Sequence, residues 1–137
     1  MRVLALDYGA ARCGCAVSDP TGTLATPLDA VERPATRAGL GAIAGLVGEL
    51  GAEVVVLGLP VSLSGGDSAQ TGEVRRFAEA LRARLGGAVP VELLDERFTT
   101  RMAQAVGGSS SEDSRAAAIL LEDWLERRGA PSTGDAQ

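Results

Sequence analysis

Apolar and polar positions change their period several times along this chain. Val3 to Leu6 is a short, unbroken apolar run, and Cys13 to Ser18 is a second, separated by the turn segment Tyr8-Gly9-Ala10-Ala11-Arg12. Leu24 to Val31 is a weaker third run, bounded by Thr21-Gly22 and by Pro34. Short connections between such runs predict three strands in an antiparallel meander. From Thr36 to Leu50 the spacing becomes helical, with Leu40, Ile43, Ala44, Leu46, Val47 and Leu50 on one stripe and Gly51 placed to end it.

Val54 to Leu59 is continuously apolar, as expected of a strand covered on both faces. Gly65-Gly66 mark a loop, and Ser68 to Leu85 returns to helical spacing through Val74, Phe77, Ala78, Leu81 and Leu85, closed by Gly86-Gly87. Val89 to Leu94 reads as a fifth strand ending in Asp95-Glu96-Arg97. A short helix is expected over Thr99 to Val106, and a last one from about Glu112 to Arg127 with Ala117, Leu120, Leu121, Trp124 and Leu125 inward. The tail from Gly129 to Gln137 is polar and expected to fray.

The order β-β-β-α-β-α-β-α-α predicts an α/β domain. Right-handed crossovers place the fourth and fifth strands parallel to the first, in a mixed five-stranded sheet flanked by helices. The 137 residues suffice for one domain, over 1–128, followed by a flexible polar tail over 129–137. No repeat or interdomain linker interrupts it.

Composition narrows the chemistry. The net charge of −5 rules out nucleic-acid binding by bulk charge, so such binding would need a local arginine patch. All 13 basic residues are arginine, a side chain that pairs well with phosphate, although a GC-rich coding bias is the better explanation of the missing lysine. With no histidine and only Cys13 and Cys15, a zinc site of the usual kind is excluded. The two cysteines share one face of a strand as small hydrophobes. No apolar run is long enough to cross a bilayer and no signal-peptide pattern opens the chain, so a cytoplasmic protein is expected.

The topology gives the acidic residues a common address. Ligands of open α/β sheets bind outside the carboxyl ends of the parallel strands. Asp7 ends the first strand, Asp95 and Glu96 end the last, and Asp113 opens the final helix on the face of Ala117, Leu120 and Trp124. Gathered carboxylates repel unless a cation lies between them. Mg²⁺ or Mn²⁺ takes oxygen ligands and supports phosphodiester cleavage without histidine. Each acid also has an ordinary role: Asp7 in a turn, Asp113 in a capping motif with Ser110, Glu96 in an ion pair with Arg97. Singly those roles are the better explanation; together at one sheet end, a site is.

Four blocks in order, LALDYGAARCGCAVSD, VVVLGLPVSLSGGDSAQTGEVRRFAEAL, LLDERFTTRMAQ and EDSRAAAILLEDWL, resemble the YqgF family over residues 1 to 128. Its members resemble RNase H and are called Holliday-junction resolvases or pre-16S rRNA processing nucleases. The resemblance implies an RNase H-like fold and a divalent-metal-dependent nuclease that holds one or two Mg²⁺ or Mn²⁺ ions. It puts the family's acidic triad on Asp7, Glu96 and Asp113, and its basic and hydroxyl positions on Arg12, Arg97 and Thr99-Thr100. The implied role is processing of the 5′ end of pre-16S rRNA. Branched DNA is the alternative, and a resolvase would need a two-fold homodimer. The segment GGSSSED departs from the family, in which the stretch before the last acid is often basic.

Further phosphate contacts are offered by Arg75, Arg76 and Arg101. Arg82 and Arg84 read better as a solvated helix face, with Glu73 and Glu79 as partners for that helix's arginines. Gly58-Leu59-Pro60 and Gly65-Gly66 fit either an approach of backbone to a nucleic-acid strand or an ordinary strand-to-helix turn. Asp7-Tyr8-Gly9 also occurs in the first phosphate loop of actin-like ATPases, but those need two domains. A non-catalytic RNA-binding assembly factor is the third class, which the full set of acids argues against.

Overall fold

The computed structural model describes residues 1–60, 69–95 and 110–135, with side chains at 1–60, 69–95 and 114–127. Strands β1 (Val3–Asp7), β2 (Arg12–Ser18), β3 (Ala25–Glu32), β4 (Val54–Leu59) and β5 (Val91–Asp95) form one sheet in the order β3-β2-β1-β4-β5. β2 is antiparallel to β1 and β3, whereas β4 is parallel to both β1 and β5. The mixed five-stranded sheet is the one the apolar runs predict. The third strand starts and ends one residue later than expected, at Ala25 and Glu32. As the sheet's edge it buries little, so the apolar pattern marks its limits weakly.

Helices α1 (Arg37–Leu50) and α2 (Ala69–Leu85) cover one face, packing Ile43, Val47, Val74, Phe77 and Leu81 on Leu4, Leu6, Val55 and Leu57. Helix α3 (Ser110–Asp135) covers the other, where Ala117, Leu120, Leu121 and Trp124 meet Val3, Ala5, Val54 and Val56. Strict alternation along β1 therefore feeds two cores at once. Each fully buried Leu or Ile adds about 1.5–3 kcal/mol of transfer free energy.

Local chemistry sets the ends of these elements. Thr36 caps α1 by accepting from the Gly39 amide at 3.1 Å, and Gly51 ends the helix at φ 66°. Asp19 fastens the β2–β3 turn, accepting from the amides of Thr23 (2.7 Å) and Leu24 (2.8 Å) and from the Thr21 hydroxyl. Those bonds, the Thr21 hydroxyl first, hold its carboxyl well below the usual carboxylate range. Helix α3 runs to Asp135, past the Arg127 at which its apolar stripe gives out. Helix propagation adds a backbone bond per residue and needs no tertiary contact, so a stripe does not mark the last turn. The helix expected over Thr99 to Val106 lies outside the described residues.

Candidate active site

Asp7 is the last residue of β1 and continues the face of Val3 and Ala5, toward α3. Its partner across the antiparallel ladder is Gly14, which presents no side chain to it. On the parallel side Leu6 pairs with Leu57, so Asp7 lies level with Gly58 and, one strand further, with Leu94. Two strand spacings separate β1 from β5, about 10 Å. Glycine on both flanking strands puts no side chain level with Asp7 on either neighbour.

Asp95 ends β5 at the same edge, but it shares the parity of Val91 and Leu93, which pack on the α1–α2 core. Asp95 and Asp7 thus belong to opposite faces. Leu94 packs in the α3 core with Asp7's neighbours, so the side of β5 that shares Asp7's face is Leu94's. Glu96 itself, with Arg97 and Thr99, lies outside the described residues.

Helix α3 arrives at this place by a specific bond. The buried Ser114 hydroxyl oxygen accepts from the Cys15 amide at 3.3 Å, and Cys15 stands next to Gly14, the residue opposite Asp7. The β2–β3 register is irregular between Cys13 and Cys15, just where this amide turns to the helix. Asp113 precedes Ser114 in the first turn of α3, so its backbone lies beside the sheet end that carries Asp7; its side chain is outside the described set. Neither Ser114 nor its bond is announced by the sequence pattern. A serine in the otherwise apolar stripe of α3 is the only hint.

Arg12 opens β2, half-buried and opposite Glu32 of β3. Arg76 is exposed on α2, as is Arg75. On the other side of β1's end, Tyr8 turns toward α2, donates to Glu73 Oε2 at 2.8 Å, and lays its ring against Phe77 with centroids 4.6 Å apart. Burial and the Glu73 carboxylate push the phenol up to about 12. Sequence reasoning treated Glu73 as a partner for arginines and Phe77 as core, and missed this cluster because no periodicity links residues 8 and 73.

Among the described residues no group of three or more His, Cys, Asp or Glu side chains forms a metal centre. The donor chemistry at Asp7's face nevertheless suits a hard cation. The side chains of Cys13 and Cys15 lie in the α1–α2 core, away from it, and the chain has no imidazole, which leaves oxygen ligands. No described helix is long and apolar enough to cross a membrane.

Comparison with known proteins adds three findings. The model of a family described as "RuvX: Holliday junction resolvase" matches residues 1–127. Proteins named "Putative pre-16S rRNA nuclease" from Mycobacteroides abscessus and Koribacter versatilis are 41% and 39% identical to the chain. The first alignment covers 98% of this chain and 87% of the relative, the second 93% and 88%. Among solved structures, Thermus thermophilus RuvC in complex with a Holliday junction substrate superposes with a TM-score of 0.59 at 17% identity, covering 93% of this chain and 96% of that one. The fowlpox virus resolvase with Holliday junction DNA follows at 0.56 and 12%, covering 93% and 98%. Both share the fold, an RNase H-like sheet with helices on its two faces.

Proposed function

The chain belongs to the RuvX (YqgF) family of nucleases, and we propose that it is a divalent-metal-dependent phosphodiesterase whose catalytic carboxylates are Asp7, Glu96 and Asp113. The observation that carries this reading is the bond from Cys15 to Ser114. It fastens the turn of α3 that contains Asp113 beside the strand pair that ends in Asp7. Glu96 follows Asp95, the last residue of β5, directly in the chain.

One or two Mg²⁺ or Mn²⁺ ions held by these acids would supply Lewis acidity to the scissile phosphate and lower the pKa of the attacking water. The chain's own groups do the rest. The carboxylates offer hard oxygen donors from three separate segments, and Gly14 and Gly58 put no side chain level with Asp7. Arg12 and Arg97 are assigned to the phosphate oxygens, with Thr99 and Arg76 as further substrate contacts. Arginine keeps its charge at every physiological pH, so these contacts do not titrate.

The substrate we assign is the 5′ end of precursor 16S rRNA, in the cytoplasm, on the strength of relatives about 40% identical over nearly the whole chain. Branched DNA is the second reading, favoured by the family's description and by the junction-bound fold neighbours. It would require a homodimer to cut two strands symmetrically.

The test is cleavage of end-labelled single-stranded RNA, a precursor-rRNA mimic and a four-way DNA junction. Each is incubated with Mn²⁺, Mg²⁺ or EDTA, beside Asp7→Asn protein. The expected result is metal-dependent cutting of the rRNA mimic that is absent from Asp7→Asn. Preferred cutting of the junction would select the resolvase reading. Equal cutting by the mutant would remove Asp7 from the site, and RNA binding without any cutting would leave an assembly factor.

A further inference from the structure

A second concave surface opens on the opposite side of β1's end from Asp7. The cleft measures about 320 Å³ and is lined by Tyr8, Ala35, Glu73, Arg76, Phe77 and Ala80. Ala35 comes from the loop between β3 and α1, the other walls from α2, and Tyr8 follows Asp7 directly in the chain. Its volume lies in the lower part of the range typical of small-molecule sites, roughly 300–1,000 Å³.

Each lining residue contributes something a nucleotide needs. The half-buried Tyr8 ring rests on the buried Phe77 ring, tilted 34° to it, so the outer face of Tyr8 is the aromatic surface offered to a ligand. The side walls are two alanines, which leave a slot for a flat ring rather than filling it. Glu73 Oε2 accepts from the Tyr8 hydroxyl, yet a carboxylate keeps further lone pairs for a second donor. The guanidinium of Arg76 lies over Gly72, 3.4 Å from where a Cβ would stand. That puts it toward the N-terminal end of α2, the sheet edge at which β4 delivers the chain.

We propose that this slot is a base-recognition subsite that takes one guanine of the substrate strand, with Glu73 accepting from its N1–H and exocyclic amine and Arg76 meeting the adjoining phosphate. Guanine alone among the common bases presents two neighbouring N–H donors to a carboxylate. Stacking on an aromatic ring holds any base, so the Tyr8 ring supplies affinity and Glu73 supplies the choice. The proposal rests on the nuclease reading for its substrate and extends it: the strand would cross the sheet edge from Asp7 to Tyr8, whose Cα atoms are about 3.8 Å apart.

The test uses the full chain and fluorescently labelled oligouridines that carry a single guanosine or adenosine at successive positions. In EDTA, anisotropy reads binding without cutting. Guanosine is expected to bind about tenfold more tightly than adenosine at one position and nowhere else. Glu73→Gln, which keeps the shape and an acceptor for Tyr8, and Ala80→Met, which fills the slot, are each expected to erase that difference. Equal binding of all sequences by the unmodified protein, or a guanosine preference that survives both substitutions, overturns the subsite. Manganese-dependent cutting of the same RNAs, with Asp7→Asn alongside, tests the nuclease separately. Selective binding without cutting would keep the subsite and remove the nuclease; unselective binding with cutting would do the reverse.

Discussion

The backbone amide of Cys15 on β2 donates to the side-chain oxygen of Ser114 on α3 at 3.3 Å, with both groups buried. Most contacts between α3 and the sheet are apolar and could slide along the helix axis. This one is directional, and it sets the height at which the first turn of α3 meets the strand opposite Asp7.

Ser114→Ala should therefore cost both stability and activity. Removing the acceptor leaves a buried amide unpaired, a loss of about 1–3 kcal/mol in urea unfolding. Cleavage should fall further than the population of folded protein does, because Asp113 loses its fixed position. Ser114→Thr restores the acceptor and is the control. Unchanged cleavage per folded molecule in Ser114→Ala would show that the bond does not position the helix.

Gly39 carries a different constraint. A Cβ there would stand 2.2 Å from the carbonyl oxygen of Arg33 and 2.6 Å from Pro34 Cα, both backbone atoms that cannot swing away. Arg33 itself sits at φ 42°, in the left-handed region, with its amide bonded to the Ala11 carbonyl at 2.9 Å. Gly39→Ala is expected to lower unfolding free energy by about 3 kcal/mol or more. Arg33→Gly should raise it by about 1 kcal/mol, since glycine accepts this conformation without strain. Chemical denaturation measures both, and the opposite signs identify the corner as the cause.

Periodicity made most of this fold legible. The unbroken run Val54–Leu59 announced a strand covered on both faces, and the stripes through Ile43 and Phe77 announced their helices. Right-handed crossovers then placed Asp7 and the end of β5 at one edge. What stayed hidden depends on contacts between distant residues. Nothing local to Ser114 says that its hydroxyl meets Cys15, and nothing local to Glu73 says that it meets Tyr8. Parity also corrected the sequence's grouping of Asp95 with Asp7: Asp95 belongs to the α1–α2 face and not to Asp7's. Pattern offered Asp95 and Glu96 together, and the choice of Glu96 for the proposed triad came from family resemblance.

Tyr8 gives a direct spectroscopic check on the cluster beside Asp7, because it is the chain's single tyrosine. Burial, then the bond to Glu73, raise its phenol from 10.0 to about 12. The folded protein thus holds this proton more tightly than the unfolded chain. The resulting stabilisation is complete below pH about 10 and is lost as pH rises through about 12. Absorbance titration should show no tyrosinate at pH 10. In Glu73→Gln, which removes the charge, the midpoint should move back toward 10.0. A wild-type midpoint near 10.0 would mean that the Tyr8–Glu73 bond does not persist in solution.

The proposed metal centre makes a prediction independent of any substrate. Carboxylates brought together without a cation repel one another, so in EDTA the Asp7→Asn protein should melt at or above the temperature of the parent. Adding Mn²⁺ should reverse that order. A ligand bound only by the folded state at about 100 times its dissociation constant adds about 2.7 kcal/mol, several degrees in a domain of this size. Asp7→Asn, lacking one donor, should gain little. The buried thiols and the absence of histidine predict that Zn²⁺ will not substitute with comparable effect. If Mn²⁺ raises both melting temperatures equally, the ion binds away from Asp7. If Asp7→Asn melts below the parent in EDTA, Asp7 is a structural residue of the β1 turn instead.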